Sequence, residues 1–324
     1  MLRISMFKAA SRAVAYWSGL TAPDDRAEPV ARILCFHGTP KYQAAEFERQ
    51  LRYLKRHFTI VSLRQLHAKL QTRSDARGRL LALTFDDGLR NNVSVAYPIL
   101  RRLEIPATFF VCPELIEHRC WLWNHRARQR LRFASEGLRR EIAEQYDAPC
   151  EVDAFIAWMK TLDRVSRRVV EKTLRDATLR YVPSAAERHE FDLAGWQELR
   201  AVEHSLVTIG SHGMSHAILP CLKPEEVEHE VAHSRRMIEA RLERAVEFFA
   251  YPNGDHSPLV VECARRHYTA AVDCSQQWVQ LPYDLHVLAR TVPPRGLLRL
   301  VLCLNEKGAT QRSWRPPKLA SASA

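Results

Sequence analysis

Short apolar runs alternate with amphipathic helical segments along most of the chain, and this rhythm constrains the fold more than any other feature. Residues 33–36, 59–61, 80–85, 107–112, 206–210, 248–251, 268–272 and 287–292 read as strands. Between them, residues 46–57 place Phe47, Leu51 and Leu54 on one helical face, and residues 225–246 do the same with Val227, Val231, Ile238 and Leu242. Further helical patterns cover 93–103, 193–202, 258–267 and 297–304, and the Ser62/Gln65 spacing is a capping box opening a helix through Leu70. Strands that are apolar on both sides of the pleat belong to parallel sheets covered by helices. Seven or eight of them favour a barrel over an open sheet. The expected fold is α/β, a distorted (β/α)7-type barrel.

The rhythm breaks once. Residues 117–190 contain no convincing strand and are charged and helical in pattern, too long for a loop. They read as a helical insertion between two barrel strands, with Trp121, Trp123 and Trp158 in its core. The expected organisation is an amphipathic segment at 1–28, a barrel at 29–312 and a flexible tail at 313–324. In the first segment Ile4, Phe7, Ser11, Val14 and Trp17 fall at helical spacing, which suits a membrane surface or packing on the domain.

Composition enters where partners are concerned. With 48 Lys+Arg against 37 Asp+Glu the net charge is +11, which favours anionic partners. The charges are spread out, and no zinc-finger spacing or RNP-like run supports nucleic-acid binding. No apolar run is long enough to span a bilayer. The eight cysteines form no C-x-x-C pair, which suits a reducing compartment. The expected location is the cytoplasm, at the inner face of the membrane.

The chemistry concentrates at strand ends. Thr84-Phe85-Asp86-Asp87-Gly88 closes an apolar strand with two adjacent carboxylates. Read alone, it is either a plain Asp-Gly turn or a charged site whose repulsion a cation offsets. Successive strand side chains point to opposite faces, so the two acids should have different tasks. A second apolar strand ends in Ser211-His212-Gly213-Met214-Ser215-His216. Two histidines four apart share a face if they lie on one helical turn. With Asp87 they make a three-ligand metal set with an open position for water.

These residues resemble a known family. Thr84 to Gly88 resembles the first motif of the polysaccharide deacetylases with a NodB-homology domain (carbohydrate esterase family 4), Ser211 to His216 the second, and Phe249-Ala250-Tyr251-Pro252-Asn253-Gly254 the third. The resemblance implies a hydrolase that removes acetyl groups from an N-acetylated sugar of a polysaccharide or its glycan precursor, as in exopolysaccharide biosynthesis. It implies a divalent metal, zinc by preference, on Asp87, His212 and His216, with Asp86 as general base. It also implies an oxyanion and substrate contact around Tyr251 and Asn253, where Asn253 offers an N–H that Pro252 lacks.

Two positions depart from the family pattern. The third motif lacks the arginine that orients the base in many members, and Arg290 is a positive neighbour that takes its place. The late Leu-x-His strand is also missing. His286 lies near that place, but Leu34-Cys35-Phe36-His37 matches better, as in a circularly permuted subgroup, and His37 is assigned as the general acid. Two other functions stay open: an inactive glycan-binding module on the same fold, and a metal-dependent amidohydrolase with a non-sugar substrate.

Overall fold

A computed structural model describes residues 30–72 and 79–305. The expected segments at 1–28 and 313–324 lie outside them. Seven parallel strands form one curled sheet: β1 (Arg32–Phe36), β2 (Thr59–Ile60), β3 (Leu80–Phe85), β4 (Ala107–Val111), β5 (Val207–Ser211), β6 (Phe248–Ala250) and β7 (Ala270–Val272). The order is β1-β3-β4-β5-β6-β7, with β2 added to the start of β3.

The period of two along the strands builds two apolar layers. Leu34, Leu81, Leu83, Phe85, Phe109 and Phe249 face outward and pack on helix residues such as Phe47, Leu51, Leu54, Val227 and Ile238. Ile33, Ala82, Phe110, Phe248, Ala250, Ala270 and Val272 form a separate inner layer. Gly210 makes room for it, since a Cβ there would lie 2.5 Å from the Phe110 ring. Thr84 and Asp86 continue the inward phase of Ala82 toward the carboxyl end of β3, the end at which such sheets carry their ligands.

The expected strand at 287–292 is not a regular strand. It touches its neighbours through single parallel bridges, Leu288 to Val272 of β7 and Thr291 to Leu34 of β1. It still joins the last strand to the first, with Cys35 N–H donating to Thr291 O at 2.9 Å and Asp273 N–H to Leu288 O at 3.0 Å. Its irregular path spends backbone groups on two strands in turn, and it carries Arg290 inward.

The helices also differ in detail. The long segment expected at 225–246 is Pro224–Glu228 and Ser234–Leu242 joined by a π turn at His229–His233, and it stops where Glu243 turns left-handed. A second π turn, Asn92–Ala96, precedes Tyr97–Arg102, and the helix expected at 193–202 is only Trp196–Arg200. Between β4 and β5 lie Trp123–Phe133, Glu136–Gln145, Val152–Met159, Arg164–Ala177 and Ala185–Phe191. The first four of these helices share a core of their own that includes Trp123, Leu131, Phe155 and Leu174, with Trp158 packed against it. Trp121 is buried outside that core, donating its indole N–H to Asp192 at 2.7 Å.

Candidate active site

Asp86 and Asp87 leave β3 in different directions and meet different partners. Arg290 donates to Asp86 through both terminal nitrogens, Nη1 to Oδ1 and Nη2 to Oδ2, each at 2.7 Å. The same guanidinium donates to Thr84 Oγ1 at 2.9 Å and from Nε to Asp273 O at 2.6 Å, and it lies over the Phe110 ring. It is fully buried. Burial pushes the Asp86 carboxyl up, but the Arg290 charge and its hydrogen bonds outweigh it and hold the group well below the usual carboxylate range.

Asp87 takes a left-handed backbone with φ of 74°, a conformation uncommon outside glycine that turns its carboxylate away from Arg290. It faces the histidines instead: Oδ1 lies 3.7 Å from His212 Nε2 and 3.4 Å from His216 Nε2. The three side chains are buried, and their ligand atoms lie within 4.8 Å of one another.

The histidines do not sit on a helical turn as their spacing suggested. Residues 212–217 are irregular, and Gly213 (φ 75°) and His216 (φ 56°) fold the segment back on itself. His212 Nδ1 lies 2.7 Å from Ala250 O, which fixes that nitrogen as the donor and leaves the Nε2 lone pair facing Asp87. Trp123 Nε1 donates to His216 O at 3.2 Å. Burial, with the neighbouring His212, pushes His216 down to about 3, so its imidazole is neutral, the form that binds metals. Two buried imidazoles and a carboxylate converging through lone pairs fit a divalent cation of zinc's type.

His37 follows the end of β1, exposed, with its ring within 4.8 Å of Asp86 and Cys35 ligand atoms. His286 is elsewhere: it is buried, and Nε2 lies 2.9 Å from Tyr268 O. Tyr251 is also buried, and its hydroxyl donates to His286 O at 2.8 Å. Its backbone N–H is taken by Val272 O, and those of Gly254 and Asp255 by Tyr251 O and Pro252 O. The Asn253 N–H takes no part in these bonds. Asn253 is left-handed (φ 58°), and its Oδ1 accepts from Lys160 Nζ at 2.9 Å.

A profile of the family described as "Polysaccharide deacetylase" matches residues 73–272, more than half of the chain. The chain belongs to the polysaccharide deacetylase family. A comparison with curated proteins returns no significant match. Among solved structures, the fold of this deacetylase resembles that of the Streptococcus pyogenes deacetylase PplD in complex with acetate (TM-score 0.58, 16% identity, 86% of this chain and 100% of that one). It also resembles IcaB from Ammonifex degensii (TM-score 0.56, 17% identity, 86% and 97%) and BC0361, a polysaccharide deacetylase from Bacillus cereus (TM-score 0.53, 16% identity, 85% and 68%). These likenesses establish the curled parallel sheet with surrounding helices. The family match includes neither His37 nor Arg290.

Several residues of the candidate site escaped the sequence reading. Glu230, fully buried on the π turn, accepts from Met214 N–H at 2.8 Å, Ser215 N–H at 2.9 Å and Ser215 Oγ at 2.6 Å, and so ties down the loop between the two histidines. A charged residue in phase with an apolar helical face was its available signal. The helices between β4 and β5 contribute His125, which burial pushes down to about 4 while the Asp87 charge opposes the shift, and Lys160 on Asn253. Nothing local marks those two. Cys35 donates to Asp86 Oδ2 at 3.2 Å, from a strand that reads as plain core.

Proposed function

We propose that this deacetylase hydrolyses the acetamide of an N-acetylated sugar, in a polysaccharide or its lipid- or nucleotide-linked precursor, using a zinc-type divalent cation. The observation that carries this reading is the convergence of Asp87, His212 and His216 beside an Asp86 held ionised by Arg290. Asp87 Oδ1 and the two Nε2 atoms would hold the cation. When bound, it would polarise the acetyl carbonyl and acidify the attacking water, which lets so weakly basic a carboxylate as Asp86 act as the base.

Asp86 accepts the water proton, oriented by Arg290. Asn253 N–H faces the oxygen on which negative charge develops, with its loop held by Lys160. Tyr251 contributes by fixing that turn through His286 O rather than by touching the sugar. His37 protonates the departing amine. In this reading β1 carries the acid at the start of the chain, as a circularly permuted deacetylase would. The reducing compartment inferred from the cysteines belongs to the same proposal.

The test combines metal analysis of the purified chain with acetate release from N-acetylated glycans and small amides. One tightly held divalent cation per chain and chelator-sensitive release from a glycan are expected. Activity without metal removes the centre, release from non-sugar amides alone makes it an amidohydrolase, and no release at all makes it a binding module.

A further inference from the structure

The helical insertion is fastened to the catalytic loops at two points. Trp123, at the start of the helix Trp123–Phe133, donates to His216 O at 3.2 Å. Lys160, which caps the helix Val152–Met159, donates from Nζ to Asn253 Oδ1 at 2.9 Å. Arg128 Nε donates to Asp153 Oδ1 at 3.0 Å and ties these two helices together. His125 lies in the same first turn as Trp123, with its ring against Phe191.

Polar groups are left over beside both points. Asn253 Nδ2 and His125 Nδ1 are buried, and neither has a hydrogen-bond partner in the protein. Buried polar atoms nearly always have one, so two orphans against the catalytic loops point to a ligand. Because Asn253 Oδ1 accepts from Lys160, its Nδ2 can only donate. The Lys160 ammonium has three N–H bonds and spends one on this neutral amide. The Asp87 charge acts on both His125 and Lys160, as expected of groups on the catalytic side of the insertion.

We propose that Lys160, Asn253 Nδ2 and His125 form a subsite for an anionic substituent, a carboxylate or a phosphate, on the N-acetylated sugar. This rests on the sugar-deacetylase reading above and narrows its substrate to acidic sugars. Lys160 and the Asn253 amide supply donors without acceptors, and one of them is charged. A carboxylate or phosphate supplies acceptors without donors and the opposite charge. A neutral hydroxyl would meet one or two of these donors and leave the half-buried ammonium uncompensated. Asn253 then serves one substrate twice, its backbone N–H on the acetyl oxygen and its side chain on the substituent. The substituent therefore belongs to the sugar that carries the acetamide.

Binding and acetate release test the subsite together, on the full-length chain loaded with one equivalent of zinc. N-acetylglucosamine, N-acetylglucosamine 1-phosphate and N-acetylmuramic acid serve as neutral, phosphate and carboxylate probes. At least one acidic probe should bind about tenfold to a hundredfold tighter than the neutral one, the worth of a charge-assisted hydrogen bond. Which of the two it is identifies the substituent. Lys160→Met should bring that ratio close to one, and Lys160→Arg should keep most of it. His125→Ala, which removes a neutral partner, should lower the ratio by about threefold to tenfold. Equal binding of all three probes overturns the subsite. So does a preference that survives Lys160→Met, since it would then come from the zinc. A Lys160→Met loss that is equal for all three probes overturns it too, because Lys160 would only position Asn253. A preference that depends on Lys160, with no acetate released from any probe, keeps the subsite and overturns the deacetylase reading instead.

Discussion

Arg290 and Asp86 form a two-point ion pair in the interior of the sheet, both bonds at 2.7 Å and both side chains buried. Removing one partner of such a pair leaves a buried charge uncompensated, at a cost of about 3–5 kcal/mol. Arg290→Met should therefore lower the melting temperature sharply. Arg290→Lys keeps the charge but loses the fork. Burial would then push Asp86 up with less to oppose it. Because activity needs the ionised carboxylate, the acid limb of the pH–rate profile should move to higher pH. An unmoved limb in a folded Lys variant would show that Arg290 does not set the state of Asp86. The stability that Asp86 adds through its lowered pKa is present above the unfolded value of 3.8 and is lost only as pH falls below it.

The two adjacent carboxylates should separate cleanly by substitution. Asp87→Asn removes a ligand, so metal content and acetate release should fall together. Asp86→Asn should retain the metal and lose about 10²- to 10⁴-fold in rate, the usual contribution of a general base. Metal analysis of both variants after dialysis decides the assignment, and a metal-free Asp86→Asn would reverse it.

His37→Ala should keep its metal and discriminate between leaving groups. An amine must be protonated to depart, whereas an activated ester leaves as a stable anion. Amide cleavage should fall by about 10²-fold or more, and cleavage of an aryl acetate much less. Equal losses on the two substrates would take the role of acid away from His37.

Glu230 touches no substrate, yet it holds the segment that carries both histidines. Outer partners of this kind are typically worth about 10- to 100-fold in metal affinity. Glu230→Gln keeps the shape and loses the charge on its three bonds. Competition with a chelator should show weaker metal retention by that factor, while a saturating metal concentration restores much of the rate. Unchanged retention would mean that the loop holds its form unaided.

Asp255 offers a pH test of stability. Burial raises its carboxyl to about 6, with Lys160 and His256 opposing. The folded chain thus binds this proton more tightly than the unfolded chain, whose value is 3.8. The sign follows: the ionised group costs stability above pH 6, and the cost shrinks as pH falls from 6 toward 3.8. Asp255→Asn should melt higher than the parent chain at pH 8, with the gap closing by pH 4. A gap that is constant with pH would place its origin outside ionisation.

What was legible in the sequence follows from how far each signal reaches. The strands were plain because β3 and its neighbours are apolar on both faces, and the period of two separates an inner from an outer layer without reference to the rest of the chain. Asp86, Asp87, His212 and His216 were legible because they end such strands. The 287–292 segment misled because its apolar residues serve two strands through single bridges, a pattern identical in sequence to a regular strand. The histidine loop misled because a spacing of four suits a helical turn, while Gly213 and His216 are left-handed. Glu230, Cys35, His125 and Lys160 act over contacts distant in sequence, and no local pattern encodes those.

The pairing of residue 86 with residue 290 also sets an order of events during synthesis. A growing chain presents Asp86, Asp87, His212 and His216 well before Arg290 leaves the ribosome. Until then the inward-facing carboxylate of β3 has no counter-ion, and the seam between β7 and β1 has nothing to close it. A chain ending between residues 216 and 290 would carry the complete metal-ligand set and still lack a stable interior to hold it. The last stretch of the described chain is thus what commits the nascent protein to a working centre.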